Sequence, residues 1–156
     1  MRKSTKRNLS VAAITVVLLG GAGAAFAYWT AGGTGTGTAA TGTNVDLVAT
    51  QTTTITGLGP GVAAKALAGQ FNNDNDGPTY VATVTASIES VTPLGGQTCG
   101  VANYTINNPV ATVDAEVPVG TGVGSWSGPS IEFVNSATVN QDGCKGATVN
   151  IAYLIG

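Results

Sequence analysis

Between residues 80 and 91 the chain alternates with a period of two, and that alternation constrains the fold more than any other stretch. Tyr80, Ala82, Val84, Ala86 and Ile88 fall on one side of an extended backbone, while Val81, Thr83, Thr85, Ser87 and Glu89 fall on the other. One apolar side on a two-residue repeat is the mark of a half-buried strand. The pattern recurs. Ala111, Val113, Ala115 and Val117 are in phase within residues 110–117, Ile131 and Phe133 point inward from 130–134, and Ala147, Val149, Ile151, Tyr153 and Ile155 line one side of the last segment. Shorter strands are expected at 45–48, 52–55 and 101–106, and another over 62–71. Residues 63–68 are alanine-rich, but six residues flanked by glycines are too few to sustain a helix.

Turn chemistry separates these runs. Gly57-Leu58-Gly59-Pro60-Gly61 and Pro93-Leu94-Gly95-Gly96 are turns, and Asn72-Asn73-Asp74-Asn75-Asp76-Gly77-Pro78 reads as a hairpin turn, because Asn and Asp tolerate left-handed backbone and Pro fixes the exit. Pro118 and the glycines at 120, 122 and 124 suggest a loose loop before Trp126. About seven to nine short strands with turn signals every 8–12 residues predict an all-β fold, a single antiparallel β-sandwich of immunoglobulin-like or jelly-roll type. Trp126 lies between the two cysteines but too late for the antibody pattern.

The first 27 residues are of another kind. Arg2, Lys3, Lys6 and Arg7 precede an apolar run over 9–19 and the small residues Gly20 to Ala25, and Ala25-Phe26-Ala27 fits a signal-peptidase site, which admits only small side chains at those two positions. Cleavage there would leave a new N-terminus at Tyr28. The alternative is a retained anchor, since 9–29 is about long enough to span a bilayer. The expected organisation is a signal peptide over 1–27, a Gly/Thr-rich segment over 28–43 that serves as linker or donor strand, and a sandwich domain over 44–156. The protein is expected outside the cytoplasm, secreted or attached to the cell surface.

Charge narrows the function classes. Four of the six basic residues lie in the leader, so residues 28–156 hold two lysines against eight carboxylates, a net charge of −6. No basic footprint for nucleic acid remains, since phosphate binding needs clustered Lys and Arg. There is no histidine, which removes Ser-His-Asp triads, Cys-His pairs and His-ligated zinc. The carboxylates are Asp46, Asp74, Asp76, Glu89, Asp114, Glu116, Glu132 and Asp142, and no spacing selects two of them for acid–base work. Asn72-x-Asp74-x-Asp76-Gly77 matches the first half of a calcium loop, but Pro78 and Thr83 stand at its seventh and twelfth positions. No cofactor, metal or catalysis is expected. Asn103-Tyr104-Thr105 is a glycosylation sequon. Cys99 and Cys144 are expected to pair in an oxidising compartment, the alternatives being free thiols or a metal pair.

Several stretches carry a family likeness. The leader ending Gly20-Gly21-Ala22-Gly23-Ala24-Ala25-Phe26-Ala27-Tyr28-Trp29-Thr30 resembles the SipW-type signal peptides of Gram-positive exported proteins. Gly57-Leu58-x-Pro60-Gly61, then Leu67-x-Gly69-x-Phe71-Asn72-Asn73, then Gly77-Pro78-x-Tyr80-Val81 is similar to the core of those proteins, as are the runs over 123–128 and 140–149. The better-known relatives are the TasA/camelysin-type proteins, and the resemblance implies a jelly-roll fold, a signal peptidase as export partner and a role in biofilm-matrix fibres. Camelysin was described as a metalloprotease; without HExxH or any histidine, that activity does not carry over.

The expected function is therefore a non-catalytic structural protein of the cell surface or extracellular matrix. Its partners would be further copies of itself, joined by strand addition of the Gly/Thr-rich segment, together with other envelope or matrix components. The alternative is a monomeric envelope module that binds or adheres through the loops at 72–76 and 120–127. Tyr28, Trp29 and Trp126 are the candidate exposed aromatic contacts, although Trp126 also suits a core position.

Overall fold

The computed structural model describes residues 32–156. The leader, Ala25, Ala27, Tyr28 and Trp29 lie outside the described residues. Residues 32–40 have no regular structure and are exposed. From Thr41 to Gly156 the chain forms seven strands in two sheets. These are β1 (Val48–Gln51), β2 (Lys65–Asn73), β3 (Thr79–Thr92), β4 (Tyr104–Asn107), β5 (Val110–Val117), β6 (Gly120–Phe133) and β7 (Thr148–Ile155). One sheet has the order β1-β2-β6-β4 and the other β5-β3-β7, with every pairing antiparallel. An antibody constant domain, with sheets ABED and CFG, would read 1-2-5-4 and 3-6-7. The expected β-sandwich is present, and its strand order is not the antibody one.

The core between the sheets is Leu67, Phe71, Val81, Val84, Ala86, Ala111, Val117, Trp126 and Ile131. On β2 the alternation is regular: Leu67, Gly69, Phe71 and Asn73 are buried, and the residues between them are more exposed. Gly69 is required by its surroundings. A Cβ there would collide with the Thr50 carbonyl of β1 and lie 2.6 Å from the indole of Trp126, its partner across the β2–β6 ladder.

Three sequence expectations fail for identifiable reasons. Residues 120–124 are not a loose loop but the start of β6. From Ala66 to Asn73, seven steps along β2 face ten steps on β6, from Ser130 back to Gly120, and the surplus is taken up at three register shifts. Each is an extra residue bulged out of the ladder. Gly122 (φ 67) and Gly124 (φ 61) supply the left-handed backbone this needs, and the Gly122 amide, 3.0 Å from Asn72 Oδ1, is satisfied by that side chain. The burial of β6 therefore recurs every three residues at Val123, Trp126 and Pro129, so a search for period two misses it.

Residues 52–55 are not a strand, and the first strand is Val48–Gln51 in place of 45–48. The amides of Thr52 and Thr53 both donate to the Ala68 carbonyl, and the Ala68 amide donates to the Thr53 hydroxyl. A side chain occupies the next rung, and the ladder ends.

The turn over 72–78 is not a hairpin, because β2 and β3 belong to different sheets. It crosses between the sheets around two buried asparagines. Asn73 donates to the carbonyls of Val117 (2.9 Å) and Gly77 (3.2 Å) and accepts from the Asn75 amide and side chain. Asn75 in turn accepts from the Val45 amide (2.6 Å) and donates to the Val45 carbonyl (2.8 Å). Of the positions a calcium loop would use, Asn72 accepts from the Gly122 amide, whereas Asp74 and Asp76 are exposed.

A second apolar cluster, Cys99, Tyr104, Phe133 and Cys144, closes one end of the sandwich, with Tyr104 edge-on to Phe133 at 5.1 Å. Cys99 and Cys144 form the expected disulfide, spanning 45 residues. In the chain-entropy picture a loop of that length stabilises the fold by about 4 kcal/mol.

Two outcomes follow from this packing. Gly69→Ala will lower stability by about 3 kcal/mol or more, since neither a strand carbonyl nor a buried indole can yield to a methyl group; urea unfolding followed by circular dichroism measures it. Paired Cys99→Ala and Cys144→Ala substitutions will cost roughly 2–5 kcal/mol in the same experiment, with the β spectrum retained at low urea because the main core does not include the disulfide.

Candidate functional site

Strands β1, β4, β5 and β7 are the sheet edges among the described residues. They are not equivalent. β1 and β4 have four residues each, and β5 carries Asp114 and Glu116. β7, Thr-Val-Asn-Ile-Ala-Tyr-Leu-Ile, is eight residues long with no charge and no proline. Natural edges are ordinarily shortened, charged or broken by proline, since unpaired N–H and C=O groups template the addition of another strand. β7 has none of those guards.

Clefts border it along most of its length. A groove of about 820 Å³ lies between residues 53–58 and residues 147–151, with Tyr104 and Ile131 also in its lining. A second cleft of about 380 Å³ lies between residues 44–47 and residues 153–156, with Thr79, Tyr80 and Val81 completing it. Between the two, the Tyr153 hydroxyl donates to Gln51 Oε1 (2.5 Å), and the Gln51 amide nitrogen donates to the Thr53 carbonyl. Tyr153 thus joins the inner side of β7 to the end of β1. Its ring packs on Trp126 with centroids 4.6 Å apart.

Burial pushes the Tyr153 hydroxyl up to about 12, and burial also raises Tyr104. Tyr80 is raised first by the negative charge of Asp114, to which its hydroxyl donates (3.3 Å). Lys145, 2.6 Å from Asp142, lowers that carboxyl by hydrogen bonding and by its charge; this is the ion pair found among the described residues. No group of three or more Cys, Asp or Glu among the described residues is placed to hold a metal.

Of the candidate aromatic contacts, Tyr28 and Trp29 lie outside the described residues, and Trp126 takes the core position of its two readings. Trp126 is buried, 2 % exposed, because it stands inward on β6 over Gly69. Tyr80, assigned to the inner side of β3, is 61 % exposed, and Val81 is buried in its place. The cause is a bulge on the side facing the chain end: the amides of Ala82 and Thr83 both donate to the single carbonyl of Gly156, which shifts the inward phase by one. The signal was available. Val81 and Val84 are three apart, and both can face inward only if the strand contains an extra residue. Of the loops proposed for binding, 120–127 is strand, and within 72–76 Asn73 and Asn75 are buried while Asp74 and Asp76 are exposed.

Asn103 of the sequon is engaged, donating to the Gly100 carbonyl and accepting from Gln141. No helix among the described residues is long and apolar enough to cross a membrane, and the disulfide is compatible with an oxidising extracellular setting. Compared with protein-family models, with curated proteins and with solved structures, the chain matches none.

Tyr153 makes the alkaline limb of stability testable. Its ionisation is harder in the folded state than in the unfolded chain, where a tyrosine titrates near 10. The contribution is therefore complete below about pH 10 and is lost as pH rises toward 12. Tyr153→Phe will flatten that limb relative to the parent protein, measured as urea midpoints from pH 9 to 12.

Proposed function

We propose that the chain is a non-catalytic, exported structural protein of the cell surface or extracellular matrix that assembles by strand addition. In this scheme the Gly/Thr-rich segment of one copy pairs along the free edge of β7 in the next. The observation that carries the proposal is the unguarded β7 edge with its flanking clefts. It is joined by a donor of suitable chemistry. Residues 32–43 are exposed and unpaired in regular structure, and Thr34-Gly35-Thr36-Gly37-Thr38 would present threonines on one side of a strand and only hydrogens on the other. Main-chain hydrogen bonds would supply the affinity, and the bare glycine side permits close approach. Such head-to-tail contacts propagate, because donor and acceptor are different surfaces of one molecule.

The leader and its likeness to SipW-type signal peptides support export, and a signal peptidase would then create the free end at Tyr28. Negative-stain electron microscopy of the purified protein, starting at residue 28 or at residue 44, tests assembly. Filaments are expected only from the longer form. Monomers in both preparations at high concentration would refute it.

A further inference from the structure

The cleft beside residues 153–156 has a character that strand addition does not use. Three of its bordering side chains are apolar or aromatic and open to solvent: Val45 (55 % exposed), Tyr80 (61 %) and Leu154 (73 %). Single exposed apolar residues are common, but three around one concavity with an aromatic ring form a contact patch. Its surroundings are acidic. Asp46 lines the cleft, Asp114 accepts the Tyr80 hydroxyl, and Glu116 stands opposite Tyr80 in the β3–β5 ladder. None of the three is ion-paired among the described residues. They are also not grouped to hold a metal ion, so the charge forms a spread-out rim.

We propose that this cleft docks an arginine-bearing extended segment of a partner polypeptide, with the guanidinium over the Tyr80 ring. A guanidinium is weakly hydrated and planar, stacks on aromatic faces, and draws on diffuse negative charge without needing a coordination sphere. Its methylene stem suits Leu154 and Val45. The two long walls, residues 44–47 and 153–156, match an extended peptide better than a compact ammonium ligand. Asp114, at a left-handed backbone position (φ 44), holds the ring by accepting its hydroxyl.

The probe is an acetylated, amidated pentapeptide Gly-Thr-Arg-Thr-Gly, titrated into the purified protein at low salt and followed by the Tyr80 ring resonances. Saturable binding is expected. Tyr80→Ala should weaken it about tenfold or more, while Tyr80→Phe, which keeps the ring, should stay within about threefold. Asp114→Asn combined with Glu116→Gln should also weaken it, and asparagine tolerates the left-handed position. Glu89→Gln, remote from the cleft, should change nothing. Absence of saturation, parental affinity in Tyr80→Ala, equal binding of a citrulline-containing peptide, or equal binding of free arginine would each overturn the proposal. Because a donor strand on β7 would compete for this cleft, the titration uses the form that starts at residue 44, which lacks the donor segment, so that its outcomes are read apart from filament formation.

Discussion

A tryptophan lying on a glycine holds the two sheets together. Trp126 comes from β6, Gly69 from β2, the carbonyl against Gly69 from β1, and the ring packed on the indole from β7. Four strands from both sheets meet at one contact. The indole nitrogen has no hydrogen-bond partner there, so packing must outweigh the loss. Burying roughly 200 Å² of aromatic surface at about 25 cal/mol per Å² gains about 5 kcal/mol, against ~1–3 kcal/mol for an unpaired N–H. Packing wins, and the site is intolerant of any change in volume. The bulges on β6 belong to the same constraint, because they bring Val123, Trp126 and Pro129 inward on a strand whose glycines would otherwise make it a poor one.

The fold class was legible because most strands obey period two. β2 and β7 turn inward the residues their alternation names, β5 does so at Ala111 and Val117 but leaves Ala115 exposed, and the cysteine pair in a chain without histidine pointed to a disulfide. What escaped was the bulging. An extra residue reverses the inward phase of everything beyond it, and nothing in composition announces where it sits. On β3 one bulge exchanged Tyr80 for Val81; on β6 three of them disguised a strand as a glycine-rich loop. Local side-chain hydrogen bonds were equally hidden. Thr53 ends a ladder and Asn73 spans two sheets, though both residues are ordinary turn formers in the sequence.

The same bulging determines what the surface offers. Trp126 takes the interior one of its two readings, while Tyr80, placed by its alternation in the core, is outside and donates to a carboxylate that has no ion-pair partner among the described residues. An uncharged edge strand lies beside it, and at the level of sequence that strand's apolar alternation testified only to burial of its inner side. Whether a strand is central or at an edge depends on which strands pair. Pairing here skips along the chain, β2 with β6 and β3 with β7, so the open edge could not be located before the topology was known.

The clamp between Asn75 and Val45 has a mechanical consequence. A side-chain amide supplies both donor and acceptor to one residue, doing the work of a strand in the space of a single rung. The chain before it is thus moored at one point. Residues 32–44 have a contour of roughly 43 Å at about 3.3 Å per residue, whereas eight-residue β7 measures about 26 Å. In the proposed assembly a tether longer than its berth would leave slack, and slack near the mooring would make a chain of such molecules a compliant rope instead of a stiff rod.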